Sequence, residues 1–256
     1  MIGRLGALLC VFGTYIFLYV PIVVLTVFSF NQAVFPSPWV GFTWKWYQEL
    51  YHSTYLWDAF YNSLFIALIS MMLSLLMSTT LIFYAAQNER VNRLMTLFYI
   101  NLFVPEVVLA VGLLAVFKFL NISLGLTSLI VAHTILGIGY VVPLVYSRFL
   151  ELDYHLTEAS LDLGASYFQT FRRVTMPLLT PSLVAAGLLV FVLSFDDFVL
   201  SYFCAGSSTQ TLSLYILSML RSGISPVVNA LSTLLLFLSS ILVLLFCSLH
   251  KRSRIF

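Results

Sequence analysis

Three carboxylates, Glu106, Asp196 and Asp197, fall inside stretches of sequence that are otherwise continuously apolar. A charged side chain at mid-membrane costs about 2.5–3.5 kcal/mol even on the lenient insertion scales, so such groups rarely face lipid. They line a cavity, pair with a cation or mark a transport route. Glu106 follows Pro105, where a helix is expected to break and admit water. Asp196 and Asp197 are neighbours, and on a continuous helix they lie about 100° apart and cannot point the same way. Either one faces a central pathway and the other an adjoining helix, or both flank an interface with a partner subunit. The bland reading makes the acids neutral when buried, or bonded to backbone at a kink. No Lys or Arg lies within a span interior to neutralise them, since Lys118 and Arg148 sit at span ends. That favours an acid-lined route for a positively charged solute. Ser194, two residues before the acids, adds a polar contact or bonds back to its own helix. His133 is a lone intramembrane histidine, of a kind more often packed or hydrogen-bonded than ligating.

The elements that must position these residues are membrane helices. Hydrophobic residues make up 61% of the 256-residue chain and charged residues 9%, with mean hydropathy +1.02. A soluble domain carries roughly a quarter charged residues. A bilayer core needs about 20 apolar residues per helix, and six stretches meet that need: 8–30, 60–86, 95–117, 127–148, 180–203 and 230–249. The first is too long for a signal-peptide core and lacks an A-x-A site, so it is expected to be a retained span. Gly and Pro within the spans (Pro21, Pro105, Gly112, Gly137, Gly139, Pro143, Gly187) permit kinks or close packing. No repeat, low-complexity tract or linker divides the chain, so residues 1–256 are expected to form one transmembrane domain. Cys10, Cys204 and Cys247 have no C-x-x-C spacing, which points to neither a disulfide framework nor a metal site.

With six spans the termini share a side with the 87–94 and 149–179 loops. That side carries Arg4, Arg90, Arg93, Arg148, Arg172, Arg173, Lys251, Arg252 and Arg254, against Lys45, Lys118 and Arg221 opposite. Basic residues accumulate in the cytoplasm, so both termini and the 149–179 loop are expected there. The first outer loop holds all four tryptophans, Trp39, Trp44, Trp46 and Trp57, with Lys45, Tyr47, Tyr51 and Tyr55 among them. An interfacial aromatic belt is the favoured reading. A sharper one has a ring such as Trp46 holding a cation over its π face at a pore mouth.

Enzyme chemistry is not in view. No Gly-Lys-Ser/Thr phosphate loop is present, because Lys45, Lys118 and Lys251 follow Trp44, Phe117 and His250. H-E-x-x-H is missing, as is the G-x-G-D signature of an intramembrane aspartyl protease. Energy for transport would have to come from elsewhere.

In the 149–179 loop, apolar side chains recur at Leu156, Ala159, Leu163, Tyr167 and Phe171, with His155, Glu158, Asp162, Gln169 and Arg172 on other faces. This is an amphipathic helical pattern interrupted near Gly164. Glycine costs about 1 kcal/mol in a helix interior, which makes sense where a backbone approaches closely or the chain bends. A helix lying on the membrane surface would explain the apolar stripe, but not why Glu, Ala and Gly fall where they do.

Glu158-Ala159-Ser160, then Gly164 after Leu163, then Val174-Thr175-Met176-Pro177, resembles the EAA-x(3)-G loop of ABC importer permeases, with Ser160 standing for the second Ala. Tyr19-Val20-Pro21, Ser29-Phe30-Asn31, Gly41-Phe42-Thr43 with Trp46-Tyr47, and Asn62-Ser63 are similar to the first third of the polyamine permeases. Ser194-Phe195-Asp196-Asp197, and Ser225-Pro226 with Asn229-Ala230, are similar to the same group. The resemblance covers nearly the whole chain. It implies an all-α integral membrane protein with the type I ABC importer permease fold, six transmembrane helices and a cytoplasmic coupling helix, in the inner membrane of a bacterium. It implies a heterodimer with a second permease, two copies of an ATPase that uses ATP and Mg, and an outer-face binding protein that delivers spermidine or putrescine. No cofactor, catalytic residue, metal or nucleic acid is implied for this chain. Glu158, Ala159, Leu163, Gly164 and Ala165 are implied as the ATPase-coupling residues, with Glu158 pairing a basic group there. Glu106, Asp196, Asp197, Ser194 and Trp46 are carried over to the substrate pathway. A sister importer for ferric iron or thiamine, or a proton-coupled secondary transporter using the same acids, are the competing readings.

Overall fold

The computed structural model describes residues 2–33, 38–222 and 226–253. Ser225 and Arg254 lie outside these, as do the side chains of Arg4, Lys251 and Arg252. Among the described residues the chain is helical, with one isolated antiparallel bridge between Asn31 and Phe42. The helices are α1 (Ile2–Phe28), α2 (Lys45–His52), α3 (Thr54–Ala85), α4 (Glu89–Met95), α5 (Glu106–Phe119) and α6 (Leu126–Leu150). They are followed by α7 (Tyr154–Asp162), α8 (Tyr167–Thr170), α9 (Met176–Phe195), α10 (Val199–Cys204), α11 (Leu212–Ser222) and α12 (Pro226–Ser253). A 3-10 stretch, Thr96–Phe103, extends α4, and a π turn, Phe171–Thr175, joins α8 to α9.

Among the described residues, four stretches are long and apolar enough to cross a bilayer: Cys10–Phe28, Thr54–Ala85, Leu126–Leu150 and Tyr167–Phe195. The pair Glu89–Phe103 and Glu106–Phe119 makes a fifth if counted as one span, bent by 110°. The expected span 95–117 is thus two helices, divided at Pro105 where a break was expected. Pro105 has no N–H to give the preceding turn, and Val104 before it is extended, the backbone that a following proline favours. The expected span 180–203 is also interrupted: α9 ends at Phe195, and residues 196–198 are non-helical before α10. Asp196 and Asp197 therefore do not sit 100° apart on one helix.

The chain falls into two compact units, Met1–Leu56 with Ile216–Phe256, and Trp57–Tyr215. In the first, α12 packs on α1 and α2. The loop after α1 is pinned by Asn31, whose carbonyl accepts from Trp46 Nε1 at 2.7 Å and whose side chain holds Val40 N and Pro38 O. No part of the apolar window of α1 is buried within the chain. A helix apolar all round belongs in lipid or against other membrane helices.

The second unit is organised on α6, which packs on α9, the 3-10 stretch, α10 and α5. Small residues allow the close approach. Ser70 Oγ donates to the Ile130 carbonyl at 3.2 Å and Ser74 Oγ to that of Thr134 at 3.1 Å, tying α3 to α6. A Cβ at Gly137 would overlap Ser74 Oγ and come within 2.8 Å of Val190 Cγ1, and one at Gly139 would overlap the Asn101 amide. Gly137→Val is accordingly expected to destabilise the fold by about 1–3 kcal/mol through overpacking. Thermal unfolding of the detergent-solubilised chain checks this, and Ser74→Ala should restore part of the loss.

Candidate solute-binding cluster and interhelical loop

The two interrupted spans meet at their breaks. Glu106 begins α5 directly after the Pro105 bend and remains exposed, and α5 packs along α10. Asp197 lies in the α9–α10 break with its side chain 1% exposed. Its Oδ1 accepts from Leu200 N at 3.1 Å and its Oδ2 from Ser201 N at 2.8 Å. The short helix α10 therefore starts on this carboxylate, which satisfies two amides left without intrahelical partners. The Glu106 carboxyl is within hydrogen-bonding reach of Asp197. Across the break, His133 Nε2 on α6 stands 3.6 Å from Asp197 Oδ2.

The expected pathway residues are thus partly assembled. Glu106 and Asp197 come together. Asp196, at the C-terminal end of α9, is exposed, and its backbone N–H donates to Val192 O. The hydroxyl of Ser194 is buried and has no hydrogen-bond partner. Trp46 belongs to the other unit, where it is 7% exposed, donates its ring N–H to Asn31 and carries the Lys45 ammonium 5.2 Å from its ring centroid. Phe30, Phe42, Trp44 and Tyr47 pack ring on ring nearby, and Tyr47 shares a 2.8 Å hydrogen bond with Ser29. His133 was the residue that sequence reasoning undervalued. Its signal was its type, an ionisable ring in an apolar span, but nothing in the linear pattern pairs residue 133 with residue 197. Among the described residues no group of three or more His, Cys, Asp or Glu side chains is placed to hold a metal ion.

The second candidate surface is the loop between α6 and α9. Asp153 caps α7 by accepting from His155 N. The helix stops at Leu163, and Gly164 follows with φ +85°, donating its N–H to Leu161 O at 2.8 Å while Ala165 N donates to Ser160 O at 3.2 Å. This is a left-handed glycine terminator. The amphipathic stripe, expected to be interrupted near Gly164, is accordingly two helices divided there. Nothing lies within 4 Å of where a Gly164 Cβ would be, so the glycine is needed here for its backbone. Ser160 Oγ and Thr170 Oγ1, 2.9 Å apart, tie α7 to α8, and a capping box of Ser166 with Gln169 starts α8. Nothing in α7 is buried, Leu163 is 89% exposed, and Glu158 is half-exposed with His155 Nδ1 3.3 Å from its carboxylate.

Broken apolar spans with acids at the breaks, and an exposed capped helix in the loop before α9, define a membrane transport subunit. Residues 87–254 match the family model of the binding-protein-dependent transport system inner membrane component. The chain belongs to that family. It is 39% identical over 246 residues to the spermidine/putrescine transport system permease protein PotC of Escherichia coli, covering 95% of this chain and 93% of that one. It is 36% identical over 236 residues to the protein of that name from Haemophilus influenzae, covering 91% and 92%. It is 31% identical over 229 residues to the putrescine transport system permease protein PotI of Escherichia coli, covering 86% and 82%. Its fold is similar to that in a bacterial ABC transporter involved in the import of the acidic polysaccharide alginate. There the TM-score is 0.70 at 16% identity, over 97% of this chain and 95% of that one. The methionine ABC transporter MetNI gives a TM-score of 0.59 at 19% identity, over 77% and 95%. The chain is a multi-pass membrane component of an ABC transport system.

Proposed function

We propose that this chain is the permease subunit of an ATP-driven polyamine importer and forms half of its translocation pathway. The observation that carries this reading is the convergence of Glu106 and Asp197 at two helix breaks, with Asp196 exposed beside them. A polyamine is a flexible chain of separated ammonium groups, and spaced carboxylates with aromatic rings between them suit it better than an anion or a sugar. Conduction needs sites favourable enough to enter and weak enough to leave. The spermidine and putrescine permeases among the relatives support this cargo class.

In this reading the bent pair α4–α5 and the 28-residue α12 complete six spans, with both termini and the 149–179 loop cytoplasmic. The helix α7 docks on a separate ATPase through Glu158, Ala159, Leu163, Gly164 and Ala165. The exposed Leu163 side chain supplies an apolar knob and Glu158 an anion for a basic partner. A second permease completes the pathway, two ATPase copies hydrolyse ATP with Mg, and a binding protein delivers cargo at the outer face. ATP binding closes the ATPases, the coupling helices approach, and the spans open toward the binding protein.

Uptake competition among putrescine, spermidine, thiamine and ferric iron in the reconstituted complex tests the cargo. Polyamines are expected to compete with each other and to be unaffected by the other two. Preferential uptake of thiamine or iron would overturn the cargo, and uptake driven by a proton gradient without ATP would overturn the class.

A further inference from the structure

The helix α3 touches both the loop between α6 and α9 and the break that carries the acids. Near its C-terminal end, the Phe83 ring packs edge-on against Phe171 and Phe168, with centroids 4.9 Å and 6.1 Å away. Toward its N-terminal end, Phe60 packs edge-on against Phe195 at 5.8 Å, and Phe195 stacks on Phe191. Phe195 is the last residue of α9, directly before Asp196 and Asp197. About 35 Å of helix separates Phe60 from Phe83. Over its 32 residues α3 contains neither Gly nor Pro, the usual causes of a sharp kink. The covalent route from loop to break is less regular. It runs through the π turn Phe171–Thr175 and past Pro181 inside α9, both of which interrupt the i→i−4 ladder.

The face of α3 that meets α6 carries a row of hydroxyls. Ser70 Oγ donates to Ile130 O and Ser74 Oγ to Thr134 O, so one turn of α3 matches one turn of α6. Ser78, a turn further on, is fully buried, and its hydroxyl has no hydrogen-bond partner. Folded proteins leave few buried polar groups unpaired. A shift of α3 by one turn toward its N-terminus, about 5.4 Å, brings Ser74 to the Ile130 carbonyl and Ser78 to that of Thr134. Gly137 keeps this track clear, since a Cβ there would overlap Ser74 Oγ.

We infer that α3 is a rod joining the two sites: movement of the loop against Phe83 carries α3 one turn along α6, and Phe60 passes that step to Phe195 and the acids. The inference rests on the importer reading above, which supplies the moving loop. In either register two hydroxyls of α3 bond two carbonyls of α6, so the step exchanges equivalent partners. Two discrete packings of one element are what a switch between distant sites requires. Phe60, Phe83 and Ser78 are positioning residues, acting on the acids through α3 without touching cargo.

The test uses the complete importer in proteoliposomes, with both permeases, the ATPase and the binding protein loaded with putrescine or spermidine. Uptake is divided by ATP hydrolysis in the same vesicles. Phe83→Leu and Phe60→Leu are each expected to lower uptake per ATP about tenfold while the ATPase still co-purifies. Substitutions this far apart combine independently unless something links them. Through one rod, the double variant should be no worse than either single one. A loss of about a hundredfold would show two separate packing defects and overturn the inference. Uptake and hydrolysis falling together in Phe83→Leu would show damaged ATPase docking and overturn it as well. Ser78→Ala removes a hydroxyl that is unpaired in this register and bonded in the shifted one. It should leave thermal stability unchanged or raised and still lower uptake per ATP about fivefold. Unchanged uptake per ATP in Ser78→Ala overturns the inference. Should Phe83→Leu fail to assemble, Phe168→Leu breaks the same joint at a side chain that is 60% exposed. A failure of the importer reading looks different, because wild-type complex would then take up neither polyamine.

Discussion

Gly164→Val is expected to abolish coupled transport, lowering cargo uptake more than tenfold and removing the ATPase from the purified complex. Gly164 holds φ +85° at the end of α7. An L-residue pays about 1–2 kcal/mol in left-handed backbone, and a β-branched one more. That strain acts on the two hydrogen bonds, Gly164 N to Leu161 O and Ala165 N to Ser160 O, that end the helix and aim the next segment. Open space surrounds the position within the chain, so packing inside the permease does not predict a loss. Backbone geometry and docking do. Gly164→Asn separates the two, because asparagine tolerates left-handed backbone at lower cost. If asparagine restores ATPase association and uptake, the conformation is what matters; if it binds no better than valine, close approach by the ATPase is the constraint. Co-purification of the ATPase with the permease and uptake in cells at matched expression give the readouts. Normal association and uptake in the valine variant would remove the coupling assignment.

The second large effect is expected at the acids. Glu106→Gln, Asp196→Asn and Asp197→Asn should each lower putrescine and spermidine uptake at least tenfold, since hydrogen bonds to charged groups contribute about 1.5–3 kcal/mol against about 1 for neutral ones. The variants should differ in kind. Glu106 and Asp196 are exposed, so their amides leave the fold intact and the ATPase attached. The Asp197 side chain is 1% exposed and holds Leu200 N and Ser201 N, so its amide keeps one acceptor and loses the other. Asp197→Asn should therefore also lower thermal stability by about 1 kcal/mol. Uptake and thermal unfolding measured on the same preparations check this. Normal transport by all three variants would rule out an acid-lined route.

Composition and local stereochemistry account for most of the features that were legible in the sequence. Apolar runs located α1, α3, α6 and α12, whose ends differ from the expected ones by as much as six residues. Pro105 announced a break, though not its 110° angle. The interruption after Phe195 carried no such sign. Phe198-Val199-Leu200 continues the apolar pattern without Gly or Pro, and the helix ends there because Asp197 turns its carboxylate onto amides beyond it in the chain. A residue taken to sit within a helix instead starts the next one. Gly164 was expected where the chain bends, and it proves to be the terminator of α7. The His133–Asp197 approach was not legible, because a contact between residues so far apart in the chain leaves no trace in periodicity.

The position of the acids on the backbone has a kinetic consequence. Glu106 occupies the first turn of α5, where the partial positive charge of a helix end lies, and Asp197 is already spending both oxygens on amide hydrogens. Each carboxyl group is partly satisfied by its own chain before any solute arrives. On the importer reading proposed above, an ammonium group passing them meets an attraction reduced from that of two free carboxylates, and about every 1.4 kcal/mol of that reduction shortens its stay about tenfold at a given rate of arrival. Dwell time, rather than tightness, is what a break built this way regulates.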